Sequence, residues 1–161
     1  ISLLQNTIGN VSETITVKQE LDNLKNYVLI NQKRYGNRIN VNYFVTPDCM
    51  DLQIPKLILQ PFMENSFFHG FIRKPAGFIN VLVWQDGNTL ICEVIDNGDG
   101  MEVSEDNNLP NTRRKQQHFS GIGVRNVHER IQLIYGEEYG VTIASSLGEG
   151  TKVRITLPIQ K

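Results

Sequence analysis

Two cysteines in 161 residues, Cys49 and Cys92, are too few for a disulfide scaffold, and no Cys or His cluster has zinc spacing. Cys92 falls inside an apolar strand pattern and reads as a small buried hydrophobe. Charge of one sign is also missing. Lysine and arginine total 16 against 17 aspartates and glutamates, a net charge of -1, so nothing here draws DNA or anionic lipid, and nucleic acid is not an expected partner. No apolar run approaches the roughly 20 residues of a membrane-spanning helix, and Ile1-Ser2-Leu3-Leu4-Gln5 lacks the basic start and cleavage pattern of a signal peptide. Because the chain opens on Ile, we expect a piece of a longer protein, with any membrane segment outside it. No internal repeat is visible.

What is present is ordinary globular material. Hydrophobic residues make up 40% and charged residues 20%, enough for one domain with a sizeable core and a short extension. A helix is expected from about Thr16 to Tyr35, with Thr16 and Gln19 as a capping box, Leu21, Leu24, Val28 and Tyr35 on one side, and Gly36-Asn37 as its stop. Ile39, Val41 and Tyr43 then alternate with polar neighbours as a strand. A second helical stretch is expected over 55–71, kinked or restarted at Pro61. Phe78 to Gln85 and Thr89 to Asp96, joined by Asp86-Gly87-Asn88, read as an antiparallel hairpin. Met101 to Ser120 has no apolar period and reads as a functional lid. Gly121-Ile122-Gly123 leads into a helix with Val124, Val127, Ile131 and Ile134 on one face and Gly136 as its stop. A final hairpin pairs Val141 and Ile143 with Val153, Ile155 and Leu157. Two hairpins among interspersed helices imply a two-layer α/β (α+β) sandwich on a mixed, mostly antiparallel sheet, with helices on one face.

Several signatures fail. Gly150-Thr151-Lys152 is no P-loop. Gly121 and Gly123 begin a Rossmann spacing, but Asn126 stands at its third glycine. His128-Glu129 lacks a second imidazole at position 132, so His128 reads as a surface or cap histidine. Three elements remain. Asn65 and His69 lie one turn apart on the stripe of Ile58 and Phe62, Asp96 ends an apolar strand, and Gly98, Gly100, Gly121 and Gly123 flank the long loop. Taken alone, each has a simpler reading: a core-satisfied amide and imidazole, a turn aspartate, plain turn glycines. One explanation for all three is a nucleotide site. The carboxylate accepts from an adenine amino group, the glycines let backbone approach base and phosphates, and the amide oxygen is a hard ligand for Mg2+.

These residues resemble a known family. Gln60-Pro61-Phe62-Met63-Glu64-Asn65 resembles the N box, Asp96-Asn97-Gly98-Asp99-Gly100-Met101 the G1 box, and Gly121-Ile122-Gly123-Val124-Arg125-Asn126-Val127 the G2 box of the GHKL (Bergerat) ATP-binding fold. Leu59-Gln60-Pro61, His69-Gly70, Val127-His128-Glu129-Arg130-Ile131 and Gly148-Glu149-Gly150-Thr151 narrow the likeness to LytS/YehU-type sensor histidine kinases. The resemblance implies ATP and Mg2+ as cofactors. Asp96 would bind the adenine amino group, Thr151 would help there, and Asn65 would hold Mg2+. Gly98 and Gly100 would shape the base pocket, with Asn97, Met101 and Val124 also among the cofactor-binding residues. Gly121 and Gly123 would sit by the phosphates at the lid's far hinge, and His69, grouped with Asn65 as catalytic, near ribose or phosphate. Phe68 stands where many relatives carry Lys or Arg; Arg113, Arg114 or Arg125 would have to compensate.

The resemblance further implies phosphotransfer from ATP to a histidine in an upstream dimerisation region. The motif around that histidine is absent, since His69, His118 and His128 all fall elsewhere. Residues 1–36 would then be the end of that region and a connecting helix, and 37–161 the ATP-binding domain. Expected partners are the upstream helices, a response regulator and a second copy in a full-length homodimer, and the expected place is the cytoplasmic part of a membrane-anchored sensor. Two other functions compete: a GHKL-type ATPase and a nucleotide-free interaction module. The ATPase branch carries a carboxylate base one turn before the Mg2+-binding Asn, where this chain has Pro61; Glu64 projects about 100° away from Asn65.

Overall fold

The computed structural model describes residues 13–101 and 120–161. Strand β1 (Thr14–Thr16) leads directly into helix α1 (Val17–Tyr35). Both halves of the expected capping box form: the Thr16 hydroxyl accepts from the Gln19 N–H at 3.1 Å, and the Gln19 side chain accepts from the Thr16 N–H at 2.9 Å. Gly36, at φ +90°, closes the helix with its N–H on Gln32. Val17, Leu21, Leu24 and Val28 form the buried face of α1. They belong to the same core as the sheet residues.

Strands β2 (Ile39–Val45), β4 (Gly77–Asp86), β5 (Thr89–Asp96), β7 (Gly150–Pro158) and β6 (Gly140–Ser146) lie in that order in one sheet. The β2–β4 pair is parallel and the rest antiparallel, as a mixed, mostly antiparallel sheet requires. Both expected hairpins are present. The parallel pair needs a crossover, and it contains a one-turn 3-10 helix (Pro47–Cys49), strand β3 (Gln53–Pro55), which pairs with β1, and helix α2 (Gln60–His69).

Here the helix expected over 55–71 is shorter at its start. Pro55 is in a strand, Lys56 to Leu59 form a turn with Leu57 at φ +62°, and Pro61 sits in the first turn of α2. Proline lacks an N–H that this turn does not use, so Pro61 starts the helix rather than kinking it. Ile58 is buried in the turn and shares no helical stripe with Asn65. Helix α3 (Ser120–Tyr135) starts one residue earlier than the G2 glycines suggest, so Gly121 and Gly123 lie inside its first turn. The expected lid, apart from its two ends, lies outside the described residues.

Period-2 alternation builds the site. Ile79, Val81 and Val83 on β4, Leu90, Cys92 and Val94 on β5, Val153, Ile155 and Leu157 on β7, and Val141 and Ile143 on β6 all face the core. The register continues that face by one row, in which Ile79 pairs with Asp96, Asp96 with Thr151, and Thr151 with Ser145. The apolar face of the sheet therefore ends in a carboxylate and two hydroxyls.

Candidate functional site

That polar row opens on a cavity of about 500 Å³ between α2, the β5–β7–β6 end of the sheet and the start of α3. Phe62, Asn65, Ser66 and His69, spaced three or four apart on α2, form one wall. Asp96, Thr151, Ile143 and Val153 form the floor; Gly100, Met101, Val124, Leu147 and Gly148 complete the mouth.

Asp96 is buried, and its charge is supported from three sides. Its Oδ2 accepts from the Ser66 hydroxyl at 2.7 Å, its Oδ1 from the Gly98 N–H at 2.9 Å, and the Thr151 backbone also bonds to it. Burial pushes its pKa above the ordinary aspartate value; these hydrogen bonds pull the other way, and the nearby Asp99 adds to the rise. Each carboxylate oxygen has two acceptor positions, so the group can still take a donor from the cavity. Beside it, the Thr151 and Ser145 hydroxyls lie 2.9 Å apart, and Ser145 donates to the Gly150 carbonyl and accepts from the Met101 N–H. Across the cavity Asn65 is half-buried, and its side-chain amide makes no hydrogen bond among the described residues. Its carbonyl oxygen is available to a hard cation. No group of three His, Cys, Asp or Glu side chains suited to a metal exists among the described residues, so an ion here would draw its other oxygens from a ligand or water.

The structure brings Asn65, His69, Asp96, Gly100, Met101, Val124 and Thr151 together around the cavity, but Asn97 and Gly98 do not line it. Their work is behind the wall. The Asn97 side-chain oxygen accepts from the Phe78 N–H at 2.8 Å, and a Cβ on Gly98 would run into the Gly70 carbonyl oxygen. A Cβ on Gly150, whose φ is +105°, would likewise run into the Asp96 carbonyl oxygen. These glycines let backbone approach backbone, not only ligand. Gly123 differs: a Cβ there meets nothing within 4 Å among the described residues.

Sequence reasoning missed the rim. The Asp99 carboxylate accepts from the N–H groups of Ile72, Arg73 and Lys74 at 2.8–3.1 Å, folding the segment after α2 onto the cavity edge. This places Arg73 and Lys74 in the lining, and the Lys74 ammonium donates to the Asn97 carbonyl at 2.9 Å. Arg73 and Lys74 are the lysine and arginine side chains of the lining among the described residues. Phe68 and Arg125 do not line the cavity, and Arg113 and Arg114 lie outside the described residues. The signal was present as adjacent cations just after His69-Gly70. His128 was also misread as a surface or cap residue. Its Nδ1 accepts from the Val141 N–H at 2.9 Å, fastening α3 to β6, and burial lowers its pKa.

Glu64, the nearest carboxylate to Asn65 in sequence, is turned onto Gln60 at 3.2 Å and is not in the cavity wall; among the described residues the carboxylates that line the cavity are Asp96 and Asp99, each already engaged by hydroxyl or backbone N–H donors.

Comparison with known proteins agrees with this geometry. Residues 50–161 match the family described as histidine kinase-, DNA gyrase B-, and HSP90-like ATPase. The sensor histidine kinase YpdA of Escherichia coli strain K12 is 33% identical over 155 residues, covering 92% of this chain and 25% of its own. The sensor protein LytS of Staphylococcus epidermidis is 32% identical over 154 residues, covering 95% of this chain and 26% of its own. The chain thus spans about a quarter of the length of these curated relatives. Among solved structures, the catalytic domain of histidine kinase ThkA superposes with a TM-score of 0.66 at 15% identity, covering 92% of this chain and 97% of that one. The blue-light activated histidine kinase of Erythrobacter litoralis EL346 gives 0.64 at 23% identity, covering 90% and 42%. At such identities the superpositions show the fold alone. The chain belongs to the histidine kinase-, DNA gyrase B- and HSP90-like ATPase family, and within it is similar to the catalytic part of sensor histidine kinases such as LytS.

Proposed function

We propose that this domain binds Mg-ATP in the cavity between α2 and the end of the sheet and presents the γ-phosphoryl group to a histidine on upstream dimerisation helices outside the chain. The observation that carries the reading is that one cavity is lined both by a buried, hydrogen-bonded carboxylate, Asp96, and by the Asn65 amide, which has no hydrogen bond among the described residues. Asp96 accepts from the adenine amino group, with Thr151 beside it. Asn65 supplies its oxygen to Mg2+, which when bound neutralises charge between the phosphates. His69 lies one turn beyond Asn65, at the ribose or phosphate end. Gly121 and Gly123, in the first turn of α3, place backbone N–H groups by the phosphates. Catalysis is then mostly positioning and charge stabilisation. The bond from the γ-phosphorus to ADP breaks as one to an imidazole nitrogen of the acceptor forms.

In the whole protein we place this domain in a homodimer that passes its phosphoryl group to a response regulator, on the cytoplasmic side of a membrane-anchored sensor. No helix among the described residues is long and apolar enough to cross a membrane. Incubation with γ-labelled ATP tests the reading. The chain alone should acquire no acid-labile phosphate and release little. Adding the upstream helices should produce label that Asn65→Ala abolishes. Stable label on His69, His118 or His128, or brisk phosphate release by the chain alone, would contradict it.

A further inference from the structure

Away from the cavity, a buried carboxylate and an arginine tie two helices to the turn that precedes a third. Glu20, in the first turn of α1, is 1% exposed, yet it is surrounded by apolar core. Its Oε1 accepts from the Leu57 N–H at 3.1 Å and its Oε2 from the Leu59 N–H at 3.0 Å, partners 37 and 39 residues distant in sequence. From the other side Arg130 of α3 donates through a guanidinium nitrogen to the Lys56 carbonyl, and its charge faces Glu20. The Arg130 Nε is buried with no hydrogen-bond partner among the described residues.

The turn so held is strained. Leu57 is the one non-glycine residue at positive φ among the described residues. A leucine in that region costs on the order of 1 to 3 kcal/mol and persists only where its surroundings over-determine it. The Leu57 side chain, 42% exposed, offsets only part of this by burial. A buried carboxylate is costly too, unless it is hydrogen-bonded and a nearby charge compensates it. Two unfavourable features are therefore kept together at one place, and α2 begins immediately after it, at Gln60. Asn65, Ser66 and His69 follow on that helix.

We propose that Glu20 and Arg130 are positioning residues: by fixing the 56–59 turn, they set where α2 begins and so where Asn65 stands relative to the Asp96 floor. A displacement of α1 then reaches the Asn65 wall through Glu20 rather than through diffuse core packing, and α3 is held to the same point by Arg130. The inference rests on the assignment of Asn65 to Mg2+ above.

The test separates the two ends of the cavity. Affinities of the 161-residue chain for Mg-ATP, for ATP in EDTA and for adenosine are measured by calorimetry in the parent, Glu20→Gln and Arg130→Met. Glu20→Gln keeps the shape but turns one acceptor into a donor aimed at an N–H. The gain that Mg2+ gives to ATP binding should drop to about one in both variants, while adenosine affinity stays within about twofold. The double variant should lose no more than either single one, as expected for groups acting as a unit. Amide exchange at Leu57 and Leu59 reports that the clasp has opened. If Glu20→Gln fails to fold, Arg130→Lys, which keeps charge and donor but not the planar fork, carries the same test. An equal fall for all three ligands, or opened amides with the Mg2+ gain intact, overturns the inference. A parent that gains nothing from Mg2+ overturns the Asn65 assignment itself, and this inference with it.

Discussion

The two ends of the cavity are built on different terms. At the sheet end every polar group has partners: Asp96 is fixed by Ser66, Gly98 and Thr151, and Ser145 joins Thr151 to Gly150 and Met101. At the helix end Asn65 projects into the cavity without a hydrogen bond among the described residues. A satisfied network is rigid and specific, because any shift leaves a buried group unpaired. A free amide waits for a ligand to complete it. The sheet end is thus suited to recognising one flat, neutral group, and the helix end to a cation that arrives with its own oxygens.

Substitutions can break this comparison at either end. The largest effect is expected at Gly150. Gly150→Ala forces a Cβ into the Asp96 carbonyl at a φ of +105°, and overpacking of this kind costs typically about 1 to 3 kcal/mol or more. Urea denaturation should show the loss with or without nucleotide; an unchanged midpoint would mean the backbone crossing is looser than described.

Asp96→Asn comes next. It places an amide donor among three donors and removes a charge-assisted bond worth about 1.5 to 3 kcal/mol, so ATP affinity should fall at least about tenfold. Binding as tight as the parent's would take the adenine away from Asp96.

His128 gives a pH signature unrelated to the cavity. Its folded pKa lies below the unfolded 6.5, so the folded state binds fewer protons between the two values. Its contribution is complete above pH 6.5 and is lost as pH falls through the folded value, where a protonated Nδ1 can no longer accept from Val141. The urea midpoint should drop on acidification below 6.5, and His128→Gln should flatten that part of the profile. A parent-like slope in the variant would assign it to other groups.

The smallest change is at Gly123. A Cβ there would meet nothing within 4 Å among the described residues, and alanine is favoured over glycine in a helix by up to about 1 kcal/mol, so Gly123→Ala should stabilise the chain while weakening ATP binding at the phosphate end. Stabilisation with unchanged affinity would remove Gly123 from the site.

Much of this was legible in the sequence because it is local. The Thr16–Gln19 box, the alternation that carries Asp96 and Thr151 onto the core face, and the turn at Asp86-Gly87-Asn88 are written within a few residues. What was not legible depends on distant backbone. Asp99 gathers N–H groups some 25 residues earlier in the chain, Glu20 bonds a turn 37 residues away, and His128 meets Val141 across an interface between helix and strand. No periodicity announces such partners. The end of β3 and the start of α2 were merged for the same reason: Pro55 to Leu59 is apolar enough for a helix, and only the left-handed Leu57, held from α1 and α3, separates them.

The difference between the two ends is tested most directly by titrating the chain, and its Asn65→Ala variant, with ATP in the presence of Mg2+ and of EDTA. The account expects saturable binding by the parent, tighter with Mg2+, and a variant that still binds ATP in EDTA but gains nothing from the metal. No binding by the parent at millimolar nucleotide, or a Mg2+ gain that survives loss of Asn65, would contradict it.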